Sequence, residues 1–214
     1  MIVIGKKFKI KKNNQIIMHI KKYLLIIFIF FFVLINKAFT IEPEIFVQST
    51  VNRASSILTK DIDKSKKIEK LKLIAEETVD IKGIGLYTLG AARKTLSEEQ
   101  KITYNKLFKN YFLKSFSSRL AEYTNPEINV NGKEILNNNY TIVNSTLKAT
   151  KDRPEIKIDW RIYTKKPDDP LIRDLIIEGL SLARTQKEEF SSILTSNNGD
   201  INSLFKVLED FSQN

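Results

Sequence analysis

The first 40 residues constrain this chain more than any later stretch. They carry eight lysines, no acidic residue and an unbroken apolar run of thirteen residues from Tyr23 to Ile35. A basic stretch, a short apolar one and then small residues near Ala38 is the order of a cleavable export signal. Thirteen helical residues reach about 20 Å, whereas a bilayer core about 30 Å thick needs roughly 20 residues. The run is therefore read as a signal that is removed. Counted from Met1 its basic part is oversized, and counted from Met18 it has ordinary proportions. Met18 is thus the expected start, cleavage is expected near Ala38–Thr40, and residues 41–214 are the expected mature domain.

Losing that segment removes most of the charge. The chain has 35 basic and 25 acidic residues, so without the eight lysines 27 face 25 and the net charge falls to +2. The overall basicity belongs to the signal and gives no ground for nucleic-acid binding. His19 and both methionines leave with it, and the chain has no cysteine. Without imidazole or thiol there is no Ser-His-Asp or Cys-His arrangement, no His/Cys zinc site and no disulfide. Carboxylates, Lys, Tyr and Ser remain for chemistry, and no phosphate-loop, dinucleotide or calcium-loop motif is present.

The rest suits one domain with a real core. Val47, Val51, Ala54 and Leu58 recur at helical steps and predict a helix over 44–58. Ile68, Leu71, Ile74 and Ala75 predict another over 65–77, its lysines on a solvated face. Asp80 can cap a short helix over 81–91 in which Gly83, Gly85 and Gly90 permit close packing. Ser97-Glu98-Glu99-Gln100 is a capping box that opens the longest helix, about 98–123. Its apolar arc spans about 220°, where a helix resting on one core needs about 100° or somewhat more. Such a helix has two apolar sides to cover. It is either buried between two layers or turns its Phe112–Phe116–Leu120 edge to an apolar cavity.

The period then changes. Ile128–Val130, Asn131-Gly132 and Ile135 are read as a turn between short extended pieces. Tyr140–Leu147 is a plausible strand, and Ile156, Ile158, Trp160 and Ile162 alternate with polar residues in the clearest one. Lys165–Pro170 is a turn and Leu171–Ile177 a strand. Ser181 can cap a helix to about Ser196, Asn197-Asn198-Gly199 ends it, and Asp200 caps a last amphipathic helix. Helices, then a mainly antiparallel sheet, then helices predict an α+β fold.

Two stretches carry a resemblance. One is Leu89-Gly90, then Arg93-Lys94-Thr95-Leu96-Ser97-Glu98-Glu99-Gln100, followed by Phe108, Phe112, Leu120 and Tyr123. The other is Asp174-Leu175-Ile176-Ile177-Glu178-Gly179-Leu180-Ser181-Leu182 with Glu189-Phe190. Together, at this separation and in this element order, they resemble the MlaC family of periplasmic phospholipid-binding proteins. Where the family carries a Trp and an aromatic ahead of the Asp, this chain has Pro170 and Arg173.

The resemblance implies helices packed on a twisted sheet around an apolar lipid pocket. It also implies a periplasmic location, a phospholipid as cargo with no cofactor, and shuttling between outer and inner membranes that keeps the outer-membrane lipids asymmetric. The partners it implies are an inner-membrane ABC transporter with an MCE-domain subunit and an outer-membrane lipoprotein bound to a porin. The protein itself is expected to be a monomer. Carried over by position, Phe116, Ile156 and Leu180 are the expected pocket-lining residues, with Phe112, Leu120, Ile158 and Trp160 as neighbours on the same faces. Burying one acyl chain of about 14 methylenes is worth roughly 11 kcal/mol, and such a carrier needs no catalytic group. Two other readings compete. One is a periplasmic adaptor or chaperone with a filled core. The other is a hydrolase using Asp174 and Glu178, for which structural roles are the preferred assignment.

Overall fold

The computed structural model describes Lys22, residues 40–151 and residues 153–213. The expected export segment, Met18 and the apolar run included, lies outside the described residues apart from Lys22 and Thr40. Among the described residues no helix is long and apolar enough to cross a membrane.

From Pro43 onward, four α-helices come first among the described residues. Helix α1 (Pro43–Leu58) starts on a proline that presets its first turn and buries Val47, Thr50, Val51 and Leu58. Helix α2 (Lys64–Thr78) turns Leu71, Ile74 and Ala75 inward. Helix α3 (Ile81–Thr88) is capped by Asp80, whose carboxylate accepts from the Gly83 amide at 2.8 Å. It ends at Thr88 and not at Ala91, because Gly90 takes φ 57 and turns the chain out of the helix, and a 3₁₀ turn over Ala92–Lys94 follows. Helix α4 (Glu98–Leu120) opens with the expected capping box. Ser97 Oγ accepts from the Gln100 amide at 3.1 Å, and Gln100 Oε1 accepts from the Ser97 amide at 2.9 Å. A Cβ on Gly85 would stand 2.8 Å from the Phe108 ring, so a bare α-carbon is what lets α3 lie against α4.

Five strands form one antiparallel meander in the order β1-β2-β3-β4-β5. They are β1 (Ile128–Asn137), β2 (Tyr140–Leu147), β3 (Ile156–Tyr163), β4 (Leu171–Ile177) and β5 (Leu180–Ser181). Asn131-Gly132 is not the expected turn. Strand β1 continues through it with a register shift between Val130 and Gly132, and the chain reverses at Asn138-Asn139. A bulge absorbs the extra residue while pairing goes on. The β4–β5 turn has Glu178 at φ 50 and Gly179 at φ 84, the two left-handed positions of a tight two-residue hairpin.

Helix α5 (Leu182–Ser196) and helix α6 (Ile201–Gln213) close the chain. Val143, Ser145 and Leu147 of β2 pair with Trp160, Ile158 and Ile156 of β3, putting these side chains on one face. That face and the helices enclose the core, in which Val47, Tyr104, Val143, Ile162, Leu204 and Leu208 are fully buried. The expected α+β architecture is the observed one. Helix α4 packs on α2, α3 and α6, which accounts for one of its two apolar sides.

Candidate functional site

The other side of α4 faces a pair of adjoining cavities. The first, of about 210 Å³, is bounded by Phe108, Tyr111, Phe112 and Phe116 of α4, Trp160 of β3 and Ile172 and Leu175 of β4. The second, of about 130 Å³, is bounded by Phe116 and Leu120 with Ile158, Trp160, Ile177 and apolar residues of α1 and α2. Val79, Phe116, Trp160, Ile172 and Leu175 belong to both walls. Phe116 and Trp160 therefore stand at the junction, and Phe112 stacks on Phe116 with centroids 5.5 Å apart.

Two polar groups buried beside this space are held in internal bonds. Trp160 Nε1 donates to Ser145 Oγ at 2.8 Å, and that hydroxyl donates to the Ile158 carbonyl at 2.9 Å. A buried indole N–H and hydroxyl thus cost little, because each has its partner. The first cavity has a polar rim of Ser115, Arg119, Thr185, Gln186 and Glu189. There Tyr111 donates to Gln186 Oε1 at 2.8 Å, and Gln186 Nε2 donates to Glu189 Oε2 at 2.8 Å. Burial, with the nearby Glu189 charge, pushes the Tyr111 hydroxyl above its ordinary value. The arrangement is a greasy interior with a wet edge.

Of the seven expected lining residues, Phe112, Phe116, Leu120, Ile158 and Trp160 meet in these walls. Ile156 packs half-buried against the core and lines neither cavity. Leu180 does not line either cavity: it is 59% exposed in the two-residue strand β5. The reason lies in the Glu178-Gly179 turn, which sends Leu180 back along the sheet edge. Leu182, two residues on, reaches the first cavity instead. Leu175 is a wall residue that sequence reading passes over. A bulge in β4 pairs Arg161 with Asp174 and Ile162 with Ile172, so a strict two-residue alternation from Ile172 puts Leu175 on the wrong face.

Asp174 and Glu178 are apart in role and place. Asp174 is buried and accepts from Ser181 Oγ at 2.6 Å and from the Ala183 amide at 3.0 Å. Ser181 Oγ in turn accepts from the Arg184 amide at 3.1 Å as the cap of α5. Glu178 lies exposed in the turn, with its carboxylate accepting from the Lys157 amide. They do not share a cleft, as the hydrolase reading would require.

A family model described as MlaC protein matches residues 48–210. The chain belongs to the MlaC family. Among solved structures it is similar to a phospholipid-binding protein from Ralstonia solanacearum, determined in complex with a phospholipid. That likeness has a TM-score of 0.68 at 19% identity and covers 81% of this chain and 98% of the other. At that identity it shows a shared fold. No curated protein matches the sequence. The MlaC match takes in every wall residue named above, and it includes the Asp174–Ser181 pair that anchors the start of α5 under the first cavity.

Proposed function

We propose that this MlaC-family protein is a phospholipid carrier. It takes acyl chains into the paired cavities between α4 and the sheet and ferries lipid across the periplasm between outer and inner membranes, which keeps the outer membrane asymmetric. The observation that carries this reading is the joined apolar space walled by Phe116 and Trp160 beneath a polar rim. It gives hydrocarbon an interior and leaves the headgroup at water. Family membership and the phospholipid in the Ralstonia solanacearum relative support the same conclusion. On this reading the protein is exported by the segment before Thr40, works without a cofactor or catalytic group, and docks as a monomer. Its docking partners are an inner-membrane ABC transporter bearing an MCE-domain subunit and an outer-membrane lipoprotein–porin complex. Two adjoining cavities count against a filled-core adaptor.

The test is native mass spectrometry with lipid extraction on the exported protein, purified without detergent. Stoichiometric phospholipid, lost in a folded Phe116→Asp variant, is the expected result. A folded protein that neither retains lipid nor takes any from liposomes would overturn the carrier reading.

A further inference from the structure

A third cavity, of about 290 Å³, opens beside the first and shares Ile84, Asp174 and Ala183 with it. Its character is different. Arg161 and Arg173 line it together with Tyr87, Asn137 and Tyr140, and the Lys187 ammonium stands 5.3 Å from the Tyr87 ring centroid. Two carboxylates belong to the same corner, and both are committed. Asp80 accepts from the Gly83 amide and pairs with Arg173 at 2.5 Å, and Asp174 holds Ser181 and Ala183. A Cβ on Gly83 would stand 2.6 Å from Arg173 Cζ, so this glycine is what admits the guanidinium to the wall.

The donors, by contrast, are largely unspent. Arg161 carries five N–H groups and has a single ion pair, 3.7 Å to Asp174, and no hydrogen bond among the described residues. Arg173 adds a 3.5 Å contact to the Tyr140 hydroxyl and lies 4.7 Å over the Tyr163 ring, which fixes its plane. The Nε atoms of both arginines are buried without an acceptor. Two guanidinium groups with spare donors in one concave wall match the several oxygens of a phosphate, which takes planar, forked donors well.

We propose that the Arg161–Arg173 groove is a binding subsite for a phosphate group. Its placement says how the group arrives: the groove meets the first apolar cavity at Ile84 and Ala183, so a lipid with its chains in the walls of Phe112 and Phe116 can set its phosphate there. That arm rests on the carrier reading. A free phosphate anion presents the same chemistry, and the experiment separates the two sources.

The full chain, exported and processed, is offered vesicles containing equal phosphatidylglycerol and diacylglycerol of identical chains, and uptake is read by mass spectrometry. In parallel the melting temperature is followed with inorganic phosphate alone. The expected result is that the wild type prefers the phospholipid by about tenfold or more. Arg161→Gln with Arg173→Gln should bring the preference near unity without loss of diacylglycerol uptake. Arg161→Gln alone serves as the second variant, since that side chain makes no hydrogen bond whose loss would loosen the fold. Stabilisation by inorganic phosphate that disappears in the variants, with lipid preference unmoved, supports the subsite with free phosphate as its source. Should the protein take up no lipid of either kind, the carrier reading fails and the phosphate titration alone decides this one. Equal lipid preference in wild type and variants, together with no response to phosphate, would overturn the proposal.

Discussion

Tyr104 shows how a single side chain ties stability to pH. It is fully buried, and its hydroxyl shares a 2.8 Å hydrogen bond with Thr88 Oγ1. Burial pushes the phenol far above its ordinary value of 10.0. Above pH 10 the unfolded chain ionises this tyrosine while the folded protein keeps the proton, so stability is full below pH 10 and falls as pH rises. Urea denaturation at pH 8 and pH 10.5 should show Tyr104→Phe losing less stability across that interval than the wild type. At neutral pH the variant should be weaker by about 0.5–1.5 kcal/mol for the lost hydrogen bond. Parallel losses in both proteins would place the alkaline sensitivity elsewhere. A second contrast concerns the cavity. Phe116→Asp sets a carboxylate at the junction of two apolar spaces and should abolish lipid retention. Leu180→Asp, on an exposed edge, should leave retention unchanged and shift stability by no more than about 0.5 kcal/mol. Equal loss in both would mean that the hairpin takes part in holding lipid. At this scale the mid-element residues Phe112, Phe116, Ile158 and Trp160 have a cavity-facing position that can be read from local periodicity. The position of Leu180 cannot be read that way, because a two-residue turn redirects the chain and leaves it on the sheet edge.

Elements were legible for the same local reasons. The capping box, the Asp80 and Ser181 caps and the alternation of β3 are each written within a few residues. The register of β1 and β4 is not, because a bulge is fixed by what the neighbouring strand presents and not by the strand's own residues. Asn-Gly at 131–132 is a strong turn signature, yet β2 offers partners on both sides of it and pairing continues through. For α4 the cap matters twice, since the helix supplies one wall to both cavities. Ser97→Ala should cost about 1 kcal/mol, seen as a lower urea midpoint with an unchanged slope. Because the lost bond is at the far end from Phe112 and Phe116, lipid retention should survive. A variant that kept its stability but lost lipid would show that the helix start is coupled to the pocket.

The whole molecule raises a question of volume. Cavities of about 210 and 130 Å³ are of the order of an engineered cavity of about 150 Å³ that holds one benzene. A phospholipid with two long chains needs several times that space. If lipid is carried here, one wall has to move. Helix α4 is the poorer candidate, being boxed at its start and packed on α2, α3 and α6. The sheet is freer along β4, where a bulge and the Glu178-Gly179 turn interrupt the ladder, so loading should push the sheet away from α4. The absence of cysteine makes the movement measurable, since Asn110→Cys on α4 and Lys157→Cys on β3 introduce the sole thiols. Spin labels at these exposed sites should separate on lipid loading by about the width of one acyl chain, roughly 4 Å. The loaded protein should also melt higher, because ligand bound to the folded state alone stabilises it by mass action, the more so the further its concentration exceeds Kd. A higher melting temperature with an unchanged label distance would mean that the chains lie outside the space between α4 and the sheet. The walls of Phe116 and Trp160 would then be ordinary core.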